Sequence, residues 1–337
     1  MNSNDFAKYL TDFLSSYLPR QKNVSKNTIY AYRDTFKLLL RYCQEQRGIK
    51  IERITLSSLN VELIKGFLNW LEDGRKCSIS TRNQRLASIH SFFRYVQSED
   101  PAGLYHFQQI ISIPAKKTQQ KVVDYLSPEV IQIILEQPNK TTAKGRRNLT
   151  LLSVLYDTGA RVQELIDIKL CDIQLDFPPV IILSGKGNKT RRVPLMKNTT
   201  SLLQTYILEN SLDEKWKNQY PLFTNNQRRK LTKEGVAYIL KKYVVMAKSI
   251  SPKVPERVYP HLLRHSKAMH LLQAGVNLIY IRDFLGHVDI KTTEIYAKAD
   301  TETKRIAIEN ACPDIINGEM PDWNKDTKLL SWLSSLK

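Results

Sequence analysis

The 337 residues contain six histidines, and four of them, His261, His265, His270 and His287, fall within positions 261–287. His261 and His265 are spaced i,i+4, which places both on one face of a helix. A zinc hydrolase with such a pair carries a Glu as general base between the two ligands. Here the segment reads His261-Leu262-Leu263-Arg264-His265, with no Glu and with an arginine inside the pair. A fixed cation beside a cation site is unfavourable, so the pattern speaks against a metal. An arginine among histidines suits a phosphate instead. Cleavage of a phosphodiester without a metal needs cations to clamp the non-bridging oxygens, which gain charge in the transition state. It also needs a nucleophile, an acceptor for the nucleophile's proton and a donor to the leaving oxygen. Arg264 and Arg161, the latter in Thr158-Gly159-Ala160-Arg161-Val162-Gln163-Glu164-Leu165, are the two clamp candidates. Either alone reads more readily as a surface or structural arginine.

The elements that must hold these residues can be read from the hydrophobic periodicity. Over residues 1–112 the period is helical. Phe6, Tyr9, Leu10, Phe13, Leu14, Tyr17 and Leu18 mark a first helix that should stop at Pro19. Ser25 caps a second helix ending near Gly48, Ser57 a third ending at Gly74, and Ser80 opens a fourth. Together they predict a small helical bundle. Residues 113–123 are polar, aperiodic and contain Pro114, and read as a linker. A second domain opens with Ser127 as N-cap and Pro128 in the first helical turn. A helix through Leu149–Tyr156 ends near Gly159, where the glycine lets the chain turn so that Arg161 can face a cleft. Glu164, three residues on, is placed to hold Arg161 by a salt bridge. The period then shortens. Val180–Leu183 and Arg192–Leu195 read as two short strands around the turn Gly185-Lys186-Gly187-Asn188-Lys189. Everything after residue 197 reads as helical again. The fold class is therefore mainly α, with one small antiparallel β-sheet in the C-terminal domain.

Charge narrows the partner. The chain carries 51 Lys and Arg against 33 Asp and Glu, a formal net charge of +18. The excess is spread over both halves, with 18 basic and ten acidic residues in positions 1–120. Two basic halves fit a grip on a polyanion, because each neutralised phosphate releases counterions. The four cysteines, Cys43, Cys77, Cys171 and Cys312, are far apart and include no Cys-x-x-Cys pair. That argues against a disulfide framework and a structural zinc site. The polar start of the sequence and the lack of a long apolar run suggest a cytoplasmic protein. No aromatic-rich RNA-binding signature is present.

The set TGARVQEL, GKGNKTRRVPL, HLLRHS and LGHVDIKTTEIY, in this order, resembles the tyrosine recombinase (phage integrase) family, and within it the Xer-like members. The likeness is strong over residues 125–300. In the N-terminal bundle it extends only to size, helical content and Ser/Thr caps. It implies an N-terminal SAM-like core-binding bundle (1–112), the linker (113–123), a tyrosine-recombinase catalytic domain (124–300) and a C-terminal tail (301–337). It also implies the catalytic set Arg161, Lys186, His261, Arg264, His287 and Tyr296, with Tyr296 as nucleophile nine positions after His287. Neither His265 nor His270 has a matching role, and both read as structural or surface residues. Lys189, Arg191 and Arg192 read either as DNA contacts or as a solvated hairpin tip.

The resemblance further implies cleavage and rejoining of double-stranded DNA through a 3′-phosphotyrosine, with no metal and no cofactor. Four protomers would act on two DNA sites, each closing around a duplex as a C-shaped clamp, with accessory directionality proteins as a further partner class. The tail, with Leu329, Leu333 and Leu336 at helical spacing, would pack either on a neighbouring protomer or on its own core. Its length favours a mobile-element integrase over Xer-type dimer resolution. Because the first helix begins almost at residue 1, no additional arm-binding domain is expected ahead of it. Two other readings remain at this level: a type IB topoisomerase, which uses the same chemistry without a partner site, and a non-catalytic architectural DNA-binding protein.

Overall fold

A computed structural model describes residues 5–118, 124–185 and 189–299, together with Arg305, Ser331 and Ser335. The chain divides into two compact units, Met1–Lys121 and Val122–Lys337.

The first unit is helical. Helix α1 (Asp5–Asp12) runs directly into π-helical turns over Phe13–Gln21. The chain does not stop at Pro19, as the sequence suggests. Proline lacks the N–H that an α-helix would use and its ring crowds the preceding turn, and the wider π geometry accommodates both. Helix α2 (Lys26–Arg47) is capped by the Ser25 hydroxyl and ends at Gly48, whose φ of 65° is left-handed. Helix α3 (Val61–Asp73) starts from Asn60 rather than Ser57. Asn60 Oδ1 accepts the Leu63 N–H at 2.9 Å, while the Ser57 hydroxyl pairs with Thr55 in the preceding turn. Helix α4 (Ile79–Glu99) is likewise capped by Ser78, two residues before the expected Ser80, and α5 (Leu104–Ile111) closes the bundle.

Aromatic rings fill the centre of this unit. Phe92 meets Phe6, Phe13 and Phe36 edge-on at centroid distances of 5.7, 5.4 and 5.0 Å, a geometry favoured by the ring quadrupole. Ile113 is buried in the same core. Lys116 then exchanges two hydrogen bonds with Asn83, its N–H donating at 3.1 Å and its carbonyl accepting at 2.7 Å. The segment that reads as linker is thus tied to the first unit as far as Lys116.

The second unit begins with α6 (Pro128–Glu136), capped by Ser127, then α7 (Ala143–Asp157) and α8 (Val162–Asp167). Three antiparallel strands follow in the order β1 (Ile173–Gln174), β2 (Val180–Ser184) and β3 (Thr190–Pro194). The two-residue β1 has no apolar run and is invisible to periodicity. Helices α9 (Lys197–Glu209), α10 (Lys233–Ile250), α11 (Pro260–Gln273), α12 (Leu278–Leu285) and α13 (Lys291–Ala299) complete the unit. Residues 210–232, expected to be helical, form no α-helix. Pro221 bridges back to Lys169 and Thr224 pairs with Lys230, and Leu222, Phe223 and Leu231 are buried in the core from this non-helical stretch. The tail helix expected over 327–336 lies outside the described residues, except that Ser331 and Ser335 are helical. Among the described residues no helix is long and apolar enough to cross a membrane.

Phe92 is fully buried, so Phe92→Ala should destabilise the first unit by about 3–5 kcal/mol. Denaturant unfolding measures this, and a loss below about 1 kcal/mol would mean that the aromatic centre is not what holds the bundle.

Candidate active site

Arg161 is the N-cap of α8, and its side chain leaves the helix where α7 has just ended. That ending depends on Gly159, whose φ of +57° is left-handed. A Cβ there would also come within 3.0 Å of Leu285 and 3.2 Å of Phe284, so α12 packs against bare backbone.

Glu164 lies one turn into α8 and is almost wholly buried, at 3% exposure. Its carboxylate accepts four hydrogen bonds. The Arg161 backbone N–H and Nη1 donate at 2.8 and 2.7 Å, as the sequence spacing suggests. Arg191 of β3 adds Nη1 and Nη2 at 3.0 and 2.8 Å. Burial alone would raise the Glu164 carboxyl, but the hydrogen bonds and charge of Arg191, with those of Arg161, hold it at about 2. Arg191 also donates Nε to the Phe284 carbonyl at 2.8 Å. Its side chain is 11% exposed, so it is an internal strut rather than a solvated tip. A signal for this was present: Val193, two residues on, faces the core, and strand period two puts Arg191 on the same face.

Arg264 on α11 is fully buried at 0% exposure. Nη1 donates to the Gly159 carbonyl at 2.7 Å and Nη2 to the Leu285 carbonyl at 2.6 Å. These are carbonyls at the C-terminal ends of α7 and α12, where helices leave acceptors unpaired and the dipole favours a cation. Its Nε is buried with no hydrogen-bond partner among the described residues. Burial and Arg161 push the guanidinium down to about 9, so it stays charged at neutral pH.

His287 follows Gly286, which ends α12 with φ +66°, and a Cβ on Gly286 would meet Arg191 at 2.9 Å. His287 Nδ1 is 2.9 Å from the Thr293 hydroxyl. Its imidazole is lowered to about 4 by burial and then by Arg264, Arg161 and Arg191. Tyr296 on α13 is 1% exposed and its ring lies parallel to that of His287, with centroids 6.4 Å apart. Burial raises its phenol, while Arg264 and Arg161 pull it back.

The tyrosine hydroxyl is bonded to His265, whose Nδ1 is 2.8 Å away. His265, which reads from the sequence as structural or surface, is thus placed against the tyrosine of the site. The signal was the i,i+4 relation to His261, whose ring stands 4.5 Å from that of His265 in an edge-on contact. His270 does read as structural. Nδ1 pairs with the Tyr156 hydroxyl at 2.8 Å and Nε2 with the Leu126 carbonyl at 2.9 Å. The structure therefore gathers Arg161, His261, Arg264, His287 and Tyr296, and adds Glu164, Arg191 and His265. Lys186 lies outside the described residues.

Glu164 titrates lower in the folded protein than its ordinary 4.5. Its ion pairs therefore contribute stability that is complete above that value and lost as pH falls towards 2. Glu164→Gln should be less stable than the parent at pH 7, with the gap closing in acid. Unfolding transitions measured across this range check it, and a gap that stays constant with pH would contradict the buried ion pairs.

Known proteins resemble the chain in sequence and in fold. Residues 124–303 match the Phage integrase family, and residues 10–100 match the phage integrase N-terminal SAM-like domain. The chain is 34% identical over 331 residues to the candidate integrase/recombinase y4rC of Sinorhizobium fredii, covering 98% of each. It is 34% identical over 282 residues to tyrosine recombinase XerD of Staphylococcus haemolyticus, covering 83% of this chain and 90% of that one. The fold resembles XerH site-specific recombinase in a post-cleavage complex with a palindromic difH substrate, with a TM-score of 0.69 at 22% identity over 89% and 84% of the two chains. It equally resembles the Tn1549 transposon integrase bound to transposon right end DNA, with a TM-score of 0.69 at 18% identity over 89% and 98%. With a family model matched over residues 124–303, more than half of the chain, and a relative aligned along nearly its full length, the chain belongs to the phage integrase family, as a Xer-like tyrosine recombinase that breaks and rejoins DNA.

Proposed function

We propose that Tyr296 is the nucleophile of this recombinase, acting on double-stranded DNA. One observation carries the reading: the Tyr296 ring packs in a small apolar cluster, but its hydroxyl is bonded to an imidazole with Arg264 and Arg161 close enough to act on it. In the proposed step Tyr296 Oη bonds to the scissile phosphorus as the bond from phosphorus to the 5′ oxygen breaks. A 3′-phosphotyrosine and a free 5′ hydroxyl result. Arg161 and Arg264 clamp the non-bridging oxygens, and each donor of this kind is worth roughly 10²–10³ in rate. The unpartnered Arg264 Nε is a further donor with no acceptor among the described residues. In this step the Thr293 hydroxyl would donate to Nδ1 of His287, 2.9 Å away, which would leave the ring proton on Nε2 to donate to a phosphate oxygen. His261, lowered by burial and by Arg264 and Arg161, is neutral and free to accept the tyrosine proton. Protonation of the 5′ oxygen by Lys186 rests on the family resemblance alone. The covalent link conserves the energy of the broken diester, and attack by a 5′ hydroxyl reverses every transfer.

The biological role we favour is integration or excision of a mobile element, by four protomers on two DNA sites in the cytoplasm, with room for accessory directionality proteins. The match to y4rC along 98% of both chains supports it. Xer-type dimer resolution is the second reading, supported by the likeness to XerD.

The direct test uses a nicked duplex carrying the end sequence of the DNA element that encodes the chain, with EDTA present. The wild type should form an SDS-resistant adduct, and Tyr296→Phe should bind the duplex and form none. An adduct in the variant would mean another nucleophile. Tight binding by the wild type without an adduct would favour an architectural role. In the same assay Arg191→Gln should form adduct about 10²-fold more slowly, since Glu164 loses its bidentate partner and small displacements of reacting groups cost on that order. An unchanged rate would show that the strut between β3 and α12 does not position the site.

A further inference from the structure

The residue that the family resemblance offers as proton acceptor, His261, is not the one bonded to the tyrosine. Among the described residues the Tyr296 hydroxyl pairs with His265, one helical turn further along α11, at 2.8 Å. The His261 ring meets that of His265 edge-on, at 4.5 Å between centroids.

A phenol that is 1% exposed needs a partner for its hydroxyl, because an unpaired buried hydroxyl is costly. Burial, His261 and Arg264 together push the His265 imidazole down to about 4. At neutral pH the ring is uncharged, and with Nδ1 accepting from the phenol its proton sits on Nε2. Such a ring holds a hydrogen bond well and a full proton poorly.

We propose that His265 is a positioning residue for the nucleophile: its Nδ1 accepts the Tyr296 O–H, fixing the direction of the phenol and keeping it protonated until the scissile phosphate is bound. The inference rests on the reading of Tyr296 as nucleophile. It separates two duties on one helix face, with His265 aiming the hydroxyl and His261 receiving the proton once the reaction begins.

Two substitutions distinguish the role from simple packing. Asparagine places a side-chain oxygen near the position of Nδ1, whereas glutamine places its polar group near that of Nε2. With the nicked-duplex substrate at saturation, His265→Gln should slow single-turnover adduct formation by about 10- to 100-fold. DNA affinity should hold, and His265→Asn should recover most of the lost rate. Equal deficits in the two variants, or a Gln variant as fast as the wild type, would overturn the proposal. A second measurement needs no DNA. In a double-mutant cycle with Tyr296→Phe, the loss in thermal stability caused by His265→Gln should shrink, because the bonded partner has already gone. Strict additivity would overturn the proposal even if the variants were inactive. A wild type that forms no adduct would instead overturn the reading of Tyr296, leaving the measured coupling as a structural contact without catalytic use.

Discussion

Arg161, Arg191 and Arg264 converge on one small region of the second unit, and the carboxylate of Glu164 is what allows it. Burying a single carboxylate costs several kcal/mol, which only close charges and saturated hydrogen bonding offset. Glu164 meets that demand with four donors from Arg161 and Arg191, and with Arg264 Nη1 at 3.9 Å. The bidentate pair with Arg191 has a second effect. Because Arg191 neutralises Glu164, Arg161 is not consumed by the carboxylate and keeps charge to offer a ligand. Its side chain remains 37% exposed, against 2% for that of Glu164.

The glycines of the site follow from this arrangement. Gly185 lies where a Cβ would be 3.0 Å from the Glu164 carboxylate, and Gly286 where it would be 2.9 Å from Arg191. Both are places where backbone approaches a buried charged group closely, so a side chain would displace the very contacts that hold the carboxylate. Gly286 also supplies the left-handed turn that ends α12 and delivers His287. Arg191 therefore links three things: the hairpin strand, the acidic centre and the helix end that precedes His287.

Much of this was legible in the sequence, for identifiable reasons. Gly159, Arg161 and Glu164 lie within six residues, and short-range geometry at a helix end is nearly fixed by residue type. The caps at Ser25 and Ser127 follow the same logic. The caps of α3 and α4 were displaced because several Ser, Thr and Asn residues compete within one turn, and only packing decides among them. Arg191 and His265 were harder. Arg191 is one of several cations in the hairpin, and its inward face is decided by the register that pairs it with Leu183. His265 joins Tyr296 across 31 residues of sequence, a contact set by how α13 docks on α11 and not by any local pattern.

The cations of the site also do ordinary structural duty. Arg264 satisfies carbonyls at the ends of α7 and α12, and Arg191 satisfies the Phe284 carbonyl one residue earlier in α12. Helix C-termini present unpaired acceptors and partial negative charge, so they draw guanidinium groups that would otherwise repel each other. The same convergence gathers positive charge, and it adds to burial, the larger cause, in lowering His261, His265 and His287. Stability and electrostatics are therefore hard to separate here. Removing a guanidinium frees buried carbonyls or an anion at the same time as it removes positive charge from the site. Only contacts made by a neutral side chain, such as His265 on Tyr296, allow orientation to be altered while the charge balance stays intact.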